Sequence, residues 1–290
     1  MKIKKGTYTA LVTPFLEPEG EIDFESLERL IDIQIYTNNG LVVLGTTAET
    51  PTLSDREKEQ IIRLSVKKAK NKVPIIAGTG TNSTKDTIIE TKRAEELGVD
   101  GALIVTPYYN RPTDEGIFRH FLSISKTTTL PIIVYNIQSR TGKNISPPLL
   151  KRISQLEGII GVKEASGDIN QMMDIRKNLR EDFLIFSGDD SLTLPMLSLG
   201  ADGVISVISN IYPGEINEMV NNFFKKNYDS ARDIHYRLLP FTRAIFKETN
   251  PIGIKYAMSL KNLIKEAYRL PLCEMNEENK KVIREIMKNG

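Results

Sequence analysis

The chain has 290 residues and a mass of 32.7 kDa, enough for one large domain or one domain with a modest extension. Its 39 Lys+Arg against 37 Asp+Glu leave a charge of +2, which gives no electrostatic reason to expect nucleic acid or an anionic membrane as the main partner. With 40% apolar and 26% charged residues it reads as a soluble globular chain rather than a disordered one, and the single Cys273 excludes an intramolecular disulfide.

Short β-rich runs alternate with helical stretches. The first strand covers 7–12, and a helix over 23–36 follows with Phe24, Leu27, Leu30, Ile31 and Ile35 on one stripe. A second strand at 41–44 leads to a helix capped by Ser54, with Glu57 three residues on as its capping-box partner. Strand three, 74–77, precedes a helix over 82–97 that Gly98 closes at the C′ position. Strands four to seven lie at 101–106, 131–135, 159–163 and 183–187, each followed by a helix, at 114–125, 147–156, 170–179 and 190–199. Gly200 ends the last of these, and strand eight runs over 203–207. Beyond Gly214 no strand signal remains, and 215–224, 230–247, 251–260 and 277–287 read as helices.

Most of the strand runs are nearly continuous in apolar residues, the pattern of a parallel sheet covered on both faces. Eight strand–helix alternations therefore predict an α/β fold, a (β/α)8 TIM barrel over 1–225, with a C-terminal helical extension over 226–290. The runner-up, an open doubly wound sheet, would bring a glycine-rich phosphate loop after strand one, where this chain has Thr13-Pro14-Phe15. The lysines at positions 2, 4 and 5 have no apolar core behind them, so no secretory signal is read, and no run approaches the ~18 apolar residues that span a bilayer. These features favour a cytoplasmic protein without membrane or nucleic-acid partners.

Active sites of such barrels lie at the C-terminal strand ends. Those ends carry Gly45-Thr46-Thr47-Ala48-Glu49, Gly78-Thr79-Gly80, Tyr108-Tyr109-Asn110, Tyr135-Asn136 with Ser139-Arg140-Thr141-Gly142 beyond, Lys163-Glu164, Gly188-Asp189-Asp190, and Ser206. Lys163 closes an apolar strand instead of sitting on a polar helix face. Alternation puts it on the face of Gly161, which would leave room beneath a long side chain. A desolvated lysine can be a neutral amine near pH 7, and neutral amines attack carbonyls to form Schiff bases. The bland alternative is a lysine snorkelling to the rim or paired with Glu164. Tyr135, on the adjacent strand, suits a proton shuttle; a strand-end tyrosine is otherwise an ordinary packed aromatic. Thr46 and Thr47 offer hydroxyls for a relay or a carboxylate, or merely turn chemistry, and Arg140 suits a carboxylate clamp.

Other chemistries fare worse. His120 and His235 are the only histidines, both in helical stretches and expected to be half exposed, which removes a Ser-His-Asp triad and a His-rich metal site. Asp189 and Asp190 suit a metal or, equally, a helix N-terminus. No metal and no dissociable cofactor is expected.

At matching order and spacing, Thr13-Pro14-Phe15, Gly45-Thr46-Thr47, Tyr108-Tyr109-Asn110, Tyr135-Asn136, 161–167 from Gly161 to Gly167, 203–206 and Asn250-Pro251-Ile252 carry a resemblance. Nearly end to end, the chain resembles the pyruvate-dependent class I aldolases of the dihydrodipicolinate synthase/N-acetylneuraminate lyase superfamily. Ser139-Arg140-Thr141-Gly142 and Lys163-Glu164-Ala165-Ser166-Gly167 make it most similar to the branch that condenses pyruvate with L-aspartate 4-semialdehyde in diaminopimelate and lysine biosynthesis.

The resemblance implies that Lys163 forms the Schiff base and Tyr135 is proton donor and acceptor. It implies that Thr46 links Tyr135 to Tyr109, which reaches into a neighbouring subunit's site. Thr47 would hold the pyruvyl carboxylate, Arg140 the semialdehyde carboxylate, and the carbonyls near Gly188 and Ile205 would line the pocket. A homotetramer built as a dimer of dimers is implied as well.

Three departures stand out: Ala48 and Gly253 replace a common glycine and a common proline, and Gln138 replaces a proline, which is expected to loosen the arginine loop. Some members bind lysine through histidines after the strand-two motif. The stretch 53–58 has none, although Asn82, Asp86 and Tyr108 offer polar contacts, so weak or no feedback inhibition is expected. Two other readings stand beside the synthase reading: a sister aldolase acting on a sugar acid or hydroxy-oxo acid, and an inactive barrel serving as a sensor or scaffold.

Overall fold

The apolar runs become strands that are buried on both faces. In the computed structural model, which describes residues 1–289, they are β1 (Gly6–Ala10), β2 (Gly40–Val43), β3 (Ile75–Gly78), β4 (Gly101–Val105), β5 (Ile132–Asn136), β6 (Ile159–Glu164), β7 (Leu184–Ser187) and β8 (Gly203–Ser206). All pair in parallel in chain order, and β8 returns to β1 with Gly6 opposite Gly203, so the barrel closes without an edge.

Around it lie α1 (Phe24–Tyr36), α2 (Asp55–Ala69), α3 (Thr84–Leu97), α4 (Asp114–Ser125), α5 (Gln138–Thr141), α6 (Pro147–Ile153), α7 (Ile169–Asn178), α8 (Thr193–Ser198) and α9 (Pro213–Phe224). The extension adds α10 (Tyr228–Ile245), α11 (Ile252–Leu260) and α12 (Glu277–Asn289). The caps are those the sequence announces. Ser54 and Glu57 exchange both bonds of a capping box, and Gly98 ends α3 at φ 89°.

Two differences from the sequence reading have local causes. The stretch 190–199 splits into a 3-10 turn, Asp190–Leu192, and α8, which starts at Thr193. Pro195 thereby falls in a first turn, where its missing N–H costs nothing. The Arg140 segment, read as a loop, is the single-turn α5, closed by Gly142 at φ 68° with its amide on the Gln138 carbonyl at 2.8 Å. The bond uses only the Gln138 main-chain carbonyl, which a proline at this first helical position would also supply.

Two apolar clusters organise the molecule. One fills the barrel with Tyr8, Val42, Ile76, Leu103, Ile133 and Phe186. The other lies between strands and helices and continues unbroken into the extension through Phe241, Ile245, Ile254, Tyr268 and Ile283. The extension is thus packed on the barrel by the same core that holds α1–α9. His120 and His235, expected to be half exposed, are 4% and 8% exposed. The correction follows from helix phase: His120 lies on the inner face of α4, with Nδ1 2.9 Å from the Thr84 hydroxyl of α3.

Candidate active site

A cleft of about 390 Å³ opens at the C-terminal strand ends. Of the residues singled out in the sequence, it brings together Thr46, Thr47, Tyr135, Arg140, Lys163 and Gly188. Tyr135 and Lys163 are register partners on β5 and β6, which places both on the interior face. The Lys163 ammonium sits 4.2 Å from the Tyr135 ring centroid, and the two residues are each 6% exposed. Glu164 faces the opposite way. Its carboxylate accepts from Asn136, Gln171 and the Ser166 amide, so it is not the counter-ion of Lys163.

The space around Lys163 has a different origin from the one alternation suggests. A Cβ on Gly161 would meet the Leu184 carbonyl at 2.6 Å, so that glycine lets β7 approach β6. Gly188 is the residue that leaves room for the lysine: a Cβ there would lie 3.0 Å from Lys163 Cε and 2.7 Å from Ala165 Cβ.

The β2 end makes a tight turn. Thr46–Ala48 form a 3-10 turn, and the left-handed residues are Leu44 before it, at φ 56°, and Glu49 after it, at φ 54°. Ala48 is spared that conformation, as its replacement of glycine requires. The Thr47 hydroxyl accepts from Asn250 Nδ2 at 2.9 Å, and Arg140 Nη2 donates to the Asn250 carbonyl at 3.0 Å. With its acceptor side occupied, the Thr47 hydroxyl proton is free to donate toward a carboxylate in the cleft.

Tyr109 and Ile205 lie elsewhere. Tyr109 is 89% exposed at φ 69° and lines no part of the cleft. Ile205 is 1% exposed, in the same barrel-interior cluster as Tyr135, and Val207 is the residue after β8 that lines the cleft. Asp189 accepts from the amide and hydroxyl of Ser191 and so caps the 3-10 turn, the second of its two sequence readings. Asp190 is fully enclosed. Its Oδ2 accepts the amides of Val207 and Ile208, and desolvation pushes its carboxyl up to about 6. No group of three or more potential metal ligands occurs among the described residues.

Sequence reasoning did not find the far wall: Thr242, Arg243 and Phe246 come from α10 and its end, with Asn250 just before α11. Only Asn250 carried a signal, through the Asn250-Pro251-Ile252 motif. A second chamber of about 310 Å³ shares Thr46, Tyr135, Ile137 and Arg140 with the first and extends to Thr50, Lys58 and Tyr108.

The arrangement offers an enclosed amine beside a phenol, hydroxyls at one end and a guanidinium at the mouth. That set suits covalent catalysis on a small keto acid, with a second anionic substrate entering past Arg140.

The chain is similar throughout to proteins of known activity. A family model described as the dihydrodipicolinate synthetase family matches residues 4–290. A 4-hydroxy-tetrahydrodipicolinate synthase of Protochlamydia amoebophila is 50% identical over 98% of this chain and 95% of its own. One from a Hydrogenobaculum species is 47% identical over 98% of this chain and 97% of its own. Among solved structures, dihydrodipicolinate synthase from Aquifex aeolicus superposes with a TM-score of 0.95 at 42% identity, covering 98% of this chain and 97% of that one.

Proposed function

The chain belongs to the dihydrodipicolinate synthetase family, and from that premise we propose that it joins pyruvate to L-aspartate 4-semialdehyde by Schiff-base aldol condensation, giving 4-hydroxy-tetrahydrodipicolinate. The observation that carries the reading is the placement of Lys163 against Tyr135 inside the cleft that also holds Thr46, Thr47 and Arg140.

Lys163 attacks the pyruvate carbonyl, and loss of water from the carbinolamine gives the iminium. The Thr47 hydroxyl donates to the pyruvyl carboxylate. Removal of a methyl proton gives the enamine, whose carbon attacks the aldehyde while Arg140 holds that substrate's carboxylate. Tyr135 moves the protons of these steps, with Thr46 beside it in the wall between the two chambers. The amino group of the semialdehyde then displaces Lys163 from the iminium carbon, which closes the ring and frees the enzyme. Gly188 keeps the lysine's path open and, with Val207 after β8, lines the cleft around it. No metal or dissociable cofactor enters this scheme.

Tyr109 fits a role in a neighbouring subunit's site, because it is exposed and held outward in a left-handed turn. A homotetramer built as a dimer of dimers is the assembly we propose.

The test is a coupled assay with both substrates and a dihydrodipicolinate reductase, beside borohydride trapping with pyruvate alone. Wild type should turn over and gain a reduced pyruvyl adduct on Lys163, and Lys163→Ala should lose both by orders of magnitude. Near-normal turnover by Lys163→Ala would refute the assignment.

A further inference from the structure

We propose that Glu49 and Lys255, which touch neither the cleft nor each other in sequence, are positioning residues for pyruvate: their buried ion pair fastens the Thr46–Thr47 turn to the helical extension. This deepens the function proposed above and rests on it.

The turn needs an external constraint. Leu44 and Glu49, one on each side of Thr46–Ala48, both adopt left-handed backbone, at φ 56° and 54°, which an L side chain holds only when its surroundings over-determine it. On the Leu44 side the constraint is packing: a Cβ on Gly78 would strike the Leu44 carbonyl at 2.1 Å, so β3 lies directly against it. On the Glu49 side it is charge. Glu49 Oε1 accepts from Lys255 Nζ at 2.5 Å, and both side chains are completely buried. Glu49 Oε2 accepts from the Arg269 amide at 3.2 Å. The ammonium is further enclosed by the Phe15 ring, 4.3 Å to the centroid, and the Tyr268 ring, 5.2 Å.

Lys255 stands on the first turn of α11, its own amide on the Pro251 carbonyl. Asn250, just before that turn, donates to the Thr47 hydroxyl. One short segment of the extension therefore holds the turn at two points, at Thr47 and at Glu49. Thr46 and Thr47, which belong to the turn so held, are cleft residues. Neither Glu49 nor Lys255 lines the cleft, so their effect on pyruvate must pass through the turn.

A purely structural role makes a different forecast. Buried ion pairs contribute little net stability, and replacing both partners by neutral groups is often tolerated. If stability is the whole role, a neutral double variant that folds should also bind pyruvate normally. If the pair positions the turn, that variant should fold and yet bind pyruvate poorly.

The experiment measures the pyruvate concentration for half-maximal borohydride trapping, the KM of each substrate, and Tm, for wild type, Lys255→Met and Glu49→Gln/Lys255→Met. Ile283→Ala, a truncation of a fully buried residue in α12 that is part of neither the turn nor the cleft lining, controls for general destabilisation. Half-maximal trapping is expected to shift upward about tenfold or more in both pair variants, with the semialdehyde KM changed less than about twofold and Ile283→Ala close to wild type. Should Lys255→Met fail to fold because it strands the Glu49 charge, the double variant, which buries no lone charge, carries the test alone. A folded double variant with pyruvate trapping within about twofold of wild type overturns the positioning role. An untrapped wild type instead overturns the functional reading beneath it, so the two failures are distinguishable.

Discussion

His120 shows how burial changes what a residue can do. Enclosed on α4, it has its imidazole pushed down to about 4 by desolvation. The folded state therefore binds fewer protons than the unfolded state between pH 4 and about 6.5, and stability is lost as pH falls through that window. Asp190 has the opposite sign. Its carboxyl is raised to about 6, so acidification through the same range relieves its burial cost. We expect His120→Gln to flatten the acid side of the Tm–pH profile, by up to ~3 kcal/mol near pH 4. Thermal melts at half-unit intervals from pH 4 to 7 check this; an unchanged acid slope would show that His120 takes up its proton equally readily in the folded and unfolded states. Lys163 is the contrasting residue. Its place in the cleft was legible because a lysine ending an apolar strand violates the pattern around it, and its register beside Tyr135 followed from adjacent strands. What alternation misread was the source of its space, because Gly188 comes from the next strand end and only the closed barrel shows which side chain it faces.

At the scale of elements, Glu57 is shared between two structures. It completes the Ser54 capping box of α2, and it takes two bonds from the Arg269 guanidinium, whose pull holds its carboxyl down to about 2. Arg269 also donates to the Gly20 and Thr52 carbonyls, and so ties the segments before α1 and before α2 to the extension. Arg269→Met should leave these acceptors unpaired at a cost of about 1–3 kcal/mol, a Tm lower by roughly 2–10 °C. Calorimetry checks the loss; a change under about 1 °C would mean solvent replaces the guanidinium at no cost. The capping box was readable from Ser54 and Glu57 alone, because it spans one turn of chain. The Arg269 bonds were not, because nothing local in 266–272 distinguishes this arginine from a solvated one. The same holds for α5, whose closing glycine, Gly142, was visible while its helical turn depends on packing beside β5.

At the scale of the molecule, the extension and the barrel share one core, and the cleft has walls from both. Tyr109 remains outside it. If it serves a neighbouring subunit, two impaired variants should complement. Mixed under subunit exchange, Lys163→Ala and Tyr109→Phe would form hybrids in which one of the two sites has both residues intact, Lys163 from one chain and Tyr109 from the other. About a quarter of wild-type activity is then expected from random pairing in a two-fold dimer. Activity that stays at the sum of the separate variants would place Tyr109 outside its neighbour's site.

What the sequence determined by itself was whatever a short window can hold: strand and helix type, the caps at Ser54 and Gly98, the order of eight βα units, and the residues at the strand ends. Parallel strands in chain order leave few ways to close, so those local patterns already implied a barrel and the end of it that carries the chemistry. What only the tertiary structure decided was contact across the chain. Glu49 with Lys255, Thr47 with Asn250 and Glu57 with Arg269 each join residues more than 200 positions apart. Such pairs arise where a helical extension folds back over a barrel mouth, and their geometry is set by the packing of both bodies rather than by the neighbours of either residue.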